Sequence, residues 1–156
     1  MKKYYRVGVH TLVELLYSPQ NVLNKKPNQK IYENGNFIHI RLGYIGNEMF
    51  KRYYKFGDYL IEIVGTPDKI NQEKGCVEEL KTYRSKNSRE IQKERGKLQL
   101  MFYSWLTGLN CANLVLYDVV NNNIEVIEYN FSEKEISDVL EKAIRKYIEV
   151  REVLSK

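Results

Sequence analysis

Three short groups of residues have the types and order that phosphodiester chemistry requires: Gly65-Thr66-Pro67-Asp68, then Glu79-Leu80-Lys81, then Gln99 and Tyr103. Hydrolysis of a phosphodiester needs a cation to polarise the phosphoryl oxygen and activate water, and Mg²⁺ or Mn²⁺ takes clustered oxygen ligands. Asp68 follows Pro67, which lacks a backbone donor and helps to end a strand there. Side chains alternate along a strand, so Glu79 and Lys81 share one face while Glu78, Leu80 and Thr82 share the other. Glu79 is then a second metal carboxylate, Lys81 the amine that orients or helps deprotonate the attacking water, and the Leu80 carbonyl a further oxygen ligand. Glu78 competes with Glu79, and parity with Lys81 selects Glu79. Gln99 and Tyr103 lie four apart on one helix face with Gln92 and Arg95 above them, which suits contacts to phosphate and base. In a chain that is 29% charged each group alone is commonplace, so the reading rests on their order and spacing together.

The elements that must position these residues follow from periodicity. Val9, Leu12, Val13 and Leu16 recur at helical spacing and stop at Ser18-Pro19, a short first helix. Residues 20–36 are polar and form a loop with a turn at Asn34-Gly35. A second helix is expected from about Phe37 to Tyr54, with Ile45, Met49 and Tyr53 on one stripe. A strand from Asp58 to Val64, a polar hairpin connection and a return strand from Cys76 to Tyr83 would bring Asp68 and Glu79 to one cation. Ser88 caps a long helix reaching about Gly108. The apolar run from Cys111 to Val120 reads as a buried central strand, and Asn121-Asn122-Asn123 turns it into a last strand, Ile124 to Tyr129. Ser132 and Glu135 form a capping box for a final helix whose stripe is Ile136, Val139, Leu140, Ala143, Ile144, Tyr147 and Ile148. The expected class is α/β, a mixed central sheet flanked by helices in one domain spanning residues 1–156.

Composition bounds the function. A net charge of +5 and a pI near 9.0 suit a polyanionic partner. No stretch approaches the roughly 18 apolar residues of a membrane span. The basic start, Met1-Lys2-Lys3-Tyr4-Tyr5-Arg6, leads into no apolar signal region, so a cytoplasmic setting is the default expectation. Cys76 and Cys111 are too few for a zinc site or a four-cysteine iron–sulfur cluster, and are expected to be small, buried and reduced. His10 on the first helix and His39, distant in sequence from the hairpin, give histidine-based mechanisms little support.

The set Gly65-Thr66-Pro67-Asp68, Glu79-Leu80-Lys81-Thr82 and Gln99-Leu100-Met101-Phe102-Tyr103 resembles the PD-(D/E)xK nuclease superfamily. The likeness is to the RecB-type branch that includes the CRISPR-associated exonucleases, marked by G-x-x-D, E-x-K-T and Q-L-x-x-Y in that order. The resemblance covers roughly residues 40–110. It implies a divalent-metal deoxyribonuclease with Asp68 and Glu79 as ligands, Lys81 catalytic, and Gln99 and Tyr103 assisting. Members commonly carry a His or Glu ligand upstream; here Asn47 stands where His would be, which leaves Glu48 as the candidate third carboxylate. CRISPR-associated members also hold an iron–sulfur cluster. Here Ser18 occupies the first cysteine's context and the last helix has no cysteine, so no cluster is expected.

The expected cofactor is therefore Mg²⁺ or Mn²⁺ and the expected partner DNA, with single strands or ends favoured by the resemblance alone. Lys69, Lys74, Arg84, Lys86, Arg89, Lys93 and Arg95 would contact phosphates, and Tyr83 would stack on an unpaired base. The rival readings are a structure-specific endonuclease of the junction-resolvase kind and a non-catalytic nucleic-acid-binding decoy with the same fold.

Overall fold

A computed structural model describes residues 3–17, 38–46 and 48–154. In chain order the elements are β1 (Lys3–Gly8), α1 (Val9–Tyr17), β2 (Phe50–Phe56), β3 (Tyr59–Gly65), β4 (Lys69–Asn71), β5 (Cys76–Tyr83), α2 (Lys86–Thr107), β6 (Cys111–Asp118), β7 (Asn123–Asn130) and α3 (Glu133–Leu154). The mixed sheet flanked by helices is present, divided in two. Sheet A has the order β1-β3-β2 and sheet B the order β4-β5-β6-β7. Each sheet contains one parallel pair, β1 with β3 and β5 with β6, and its remaining pairs are antiparallel.

The division follows from Gly65-Thr66-Pro67. Pro67 cannot extend the β3 ladder, so the chain leaves sheet A there and re-enters sheet B at β4. The expected hairpin is thereby corrected: β3 and β5 belong to different sheets, and the antiparallel partner of β5 is the three-residue β4. The expected helix over 37–54 is also corrected. A helical turn at residues 38–41 is followed by irregular chain and then β2. In Phe50-Lys51-Arg52-Tyr53-Tyr54-Lys55-Phe56, Phe50, Tyr54 and Phe56 pack toward the core while Lys51, Tyr53 and Lys55 are exposed, a period of two that only a strand can satisfy. Ile45, Met49 and Tyr53, the supposed helical stripe, are all more than half exposed. Phe37, Asn47 and the loop over 20–36 lie outside the described residues. β1 was legible only as a basic start, although its Tyr5 and Val7 alternate inward.

The helices end as their sequences direct. α2 is capped by Ser85, with Ser88 at the third helical position completing a reciprocal pair of bonds, so the expected Ser88 cap moves three residues upstream. Gly108 closes α2 in the left-handed conformation, and Ser132 with Glu135 forms the expected box at the start of α3. One core joins α1, α2, α3 and the inner faces of both sheets, with Leu12, Leu15, Ile61, Ile63, Leu100, Phe102, Leu114, Leu116 and Ile144 fully buried.

Cys76 and Cys111 are joined in a disulfide, which corrects the expectation that they stay reduced. The parallel register of β5 and β6 pairs these two residues directly, with Cα atoms 4.6 Å apart, inside bridging range. Two cysteines remote in sequence thus say nothing about a reducing compartment. Among the described residues no helix is long and apolar enough to cross a membrane.

Candidate active site

The site lies where the chain passes from sheet A to sheet B. Asp68 sits between β3 and β4, and Glu79 and Lys81 are on the α2-facing side of β5. Two reciprocal hydrogen bonds lock Asp68 against β5. The Asp68 amide donates to Glu79 Oε1 at 2.8 Å, and the Leu80 amide donates to Asp68 Oδ2 at 2.9 Å. Proximity that the sequence assigned to a hairpin is thus made by side chain to backbone bonding across a sheet boundary.

His39, remote in sequence from both carboxylates, completes the cluster. Its Nε2 lies 2.7 Å from the Leu80 carbonyl oxygen and 3.2 Å from Asp68 Oδ2. Imidazole nitrogen, carboxylate oxygen and main-chain oxygen converge on one point, so that His39, although far in sequence from β5, stands against Asp68. His39 is carried by the helical turn at 38–41, whose approach to β5 no periodicity discloses. The usable signal was scarcity: the chain holds two histidines, and both lie at this site.

The electrostatics separate the two carboxylates. Burial pushes Glu79, only 2% exposed, well above the usual carboxylate range, and the charge of Asp68 pushes it further, against the pull of Lys81. Burial acts on Asp68 in the same sense, but the hydrogen bond and charge of His39, with the Leu80 amide, outweigh it and hold Asp68 below its ordinary value. Asp68 is therefore the ionised member and Glu79 the proton holder. Burial, then the charges of Glu79 and Asp68, raise the Tyr103 phenol, which stays protonated.

Two glycines let α2 and β3 approach this cluster. A Cβ at Gly65 would stand 2.7 Å from Val9 Cγ2 and 2.8 Å from Tyr103 Cε1. One at Gly96 would stand 2.4 Å from Leu114 Cδ1 and 3.2 Å from Lys81 Cγ. Tyr103 can thus lie under Gly65, and Lys81 can run beside α2 one turn before Gln99. Gln99 is buried, its amide nitrogen 2.9 Å from His10 Nδ1, and its Oε1 has no partner among the described residues. His10 itself is held below its usual pKa by burial and then by Lys81.

The remaining candidates divide. Glu48 is exposed and lines, with Pro67, Asp68, Lys69 and Gln72, a small cleft at the mouth of the site. Lys69 is exposed there, its ammonium 5.3 Å from the Tyr44 ring centre. Arg84 and Lys86 are exposed but lie beyond the end of β5, more than ~15 Å along the strand from Glu79 at about 3.3 Å per residue. Arg89 pairs with Glu90 and Glu125, and Arg95 pairs with Glu14 at 3.5 Å and stacks on Tyr17.

Among the described residues no three His, Cys, Asp or Glu side chains form a ready cation cage. The groups present still fit a hard divalent ion in kind: Asp68, the Leu80 carbonyl and His39, with Glu79 bonded to the Asp68 amide through one oxygen.

No protein-family model and no curated protein matches the sequence. Solved structures do match. SSO0001 superposes with a TM-score of 0.66 at 23% identity, over 93% of this chain and 78% of that one. A phage-related exonuclease from Haemophilus somnus 129PT gives 0.54 at 13% identity, over 94% of this chain and 82% of that one. The alkaline exonuclease LHK-Exo from Laribacter hongkongensis, in complex with dAMP, gives 0.57 at 11% identity, over 96% and 89%. The chain has the α/β fold of these exonucleases. At such identities the likeness is one of fold.

Proposed function

We propose that this chain is a divalent-metal-dependent deoxyribonuclease of the PD-(D/E)xK superfamily, in its RecB-type branch, forming one catalytic domain that acts on single strands or ends. The observation that carries the reading is the convergence of Asp68, Glu79, His39 and the Leu80 carbonyl beside Lys81 and beneath Gln99 and Tyr103. The shared fold with phage-related and alkaline exonucleases supports it.

Asp68, His39, the Leu80 carbonyl and Glu79 would hold Mg²⁺ or Mn²⁺, which supplies Lewis-acid polarisation of the phosphoryl oxygen and activates water. Lys81 orients the attacking water and offsets charge on the phosphate. Gln99, bonded to His10, carries a buried amide oxygen with no partner among the described residues, and Tyr103 offers a protonated phenol beside the carboxylates. Exposed Lys69 and Glu48 border the entrance.

The test is cleavage of labelled single- and double-stranded DNA and RNA with Mg²⁺ or Mn²⁺, wild type beside Asp68→Ala, His39→Ala and Lys81→Ala. Metal-dependent cleavage of DNA that all three substitutions abolish is the expected result. Activity that survives both Asp68→Ala and Lys81→Ala overturns the site, and binding by a folded wild type that never cleaves identifies a non-catalytic relative.

A further inference from the structure

Sheet A has one face in the core and one in water. α1 and α2 pack on it through residues such as Val7, Tyr54, Phe56, Ile61 and Ile63, and α3 reaches it through side chains, Tyr147 edge-on to Tyr5 and Glu152 accepting from the Tyr59 hydroxyl. The registers place Tyr4 and Arg6 of β1, Leu60, Glu62 and Val64 of β3, and Lys51, Tyr53 and Lys55 of β2 on the opposite face. None of the described helices packs there. Tyr4 and Tyr53 are each 53% exposed, and Arg6, Lys51 and Lys55 are exposed around them.

Glu62 lies between the two tyrosines, 7% exposed, and Tyr4 donates its phenolic hydrogen to it. That bond anchors Tyr4 on β3 and pushes its phenol up to about 12, so the ring stays neutral. Tyr53 is the cross-strand neighbour of Glu62. The two residues thus stand on outer strands in neighbouring rows, their backbones roughly 12 Å apart: two strand spacings of about 4.8 Å across and two residues of about 3.3 Å along. The result is a surface with two exposed aromatic rings and three cations around the nearly buried Glu62.

We propose that this face is a docking platform for single-stranded DNA, on which Tyr4 and Tyr53 stack unpaired bases while Arg6, Lys51 and Lys55 contact the phosphates. The proposal rests on the nuclease reading for the identity of the nucleic acid. Exposed aromatic rings on an open sheet accept unpaired bases of any sequence, whereas bases inside a duplex offer no free face. Charge argues against other occupants. Interface cores between proteins are depleted of lysine, and a second copy of this +5 chain would set three cations against three. The platform also leads to the active site: Lys51 pairs with Val64 at the end of β3 from which Gly65, Thr66 and Pro67 run to Asp68.

The test is fluorescence anisotropy with labelled dT15 in EDTA, so that binding is read without cleavage. Tyr4→Ala/Tyr53→Ala should bind at least roughly tenfold more weakly. Tyr4→Phe/Tyr53→Phe, which keeps both rings and removes their hydroxyls, and with Tyr4's the bond to Glu62, should bind like wild type. Lys51→Gln/Lys55→Gln should flatten the plot of log affinity against log salt by about 0.7 for each phosphate no longer neutralised. All three pairs should still cleave a tetranucleotide at the wild-type rate, which separates failure of the platform from failure of the catalytic reading. Unchanged dT15 binding in both the alanine and the glutamine pairs overturns the proposal. So does an equal loss on a blunt 15-base-pair duplex, and so does a change from oligomer to monomer in light scattering with dT15 binding intact. Loss on U15 equal to that on dT15 overturns the restriction to DNA.

Discussion

The two sheets treat charge in opposite ways. On sheet B, Glu79 is all but sealed from water on a face covered by α2, and Asp68 beside it is tied down by the Leu80 amide and His39. On the outer face of sheet A, three cations stand in solvent. A buried carboxylate loses its hydration and must find donors or take up a proton, whereas a solvated lysine needs neither. A cluster that sets two carboxylates together under cover is maintained against stability. Exposed charges carry no such cost, so their presence alone is weaker evidence of function.

That contrast can be broken experimentally. The largest expected effect is on catalysis: Lys81→Ala should lower turnover by roughly 10²–10⁴-fold with little change in melting temperature, checked by single-turnover cleavage. Gly65→Ala comes next. Its methyl would meet Val9 and Tyr103 inside van der Waals distance, so stability should fall by about 1–3 kcal/mol in urea titration.

Glu79→Gln sharpens the comparison through pH. A carboxyl whose folded pKa is raised contributes its full stability below the unfolded value, near 4.5, and loses it as pH rises through the folded value. In EDTA the Gln variant should therefore melt higher than wild type at alkaline pH, by roughly 2–4 °C per kcal/mol relieved, and the gap should close on acidification. Its cleavage activity should be lost at every pH. A constant gap across pH would mean that Glu79 binds its proton equally in the folded and unfolded states, and so that burial does not raise its pKa. The smallest effect belongs to sheet A: Tyr53→Ala should change stability by no more than about 0.5 kcal/mol in the same titration, as an exposed ring far from the core should.

Local signals were legible where local physics decides. The box at Ser132 and Glu135 and the stripe of α3 depend on neighbours within one or two turns, and the structure shows them as read; the buried run of β6 is also a strand, but it ends at Asp118 and leaves Val120 exposed in the turn. β2 was misread because Ile45, Met49 and Tyr53 fall at helical spacing by coincidence, while the alternation from Phe50 to Phe56 is what the core uses. The disulfide was missed for another reason. Nothing near Cys76 or Cys111 reveals that β5 and β6 run parallel with these two residues side by side.

The sequence by itself determined which atoms were available: the acids Asp68 and Glu79, the amine of Lys81, and the alternation that sets Glu79 and Lys81 on one face of β5. Only the tertiary structure decided that a proline-ended strand should pass Asp68 from one sheet to the edge of another. It also decided that a turn at 38–41 should swing His39 onto Asp68 and the Leu80 carbonyl. Strand parity is a property of consecutive residues and can be counted along the chain. Convergence depends on packing between segments remote in sequence, and no count along the chain contains it.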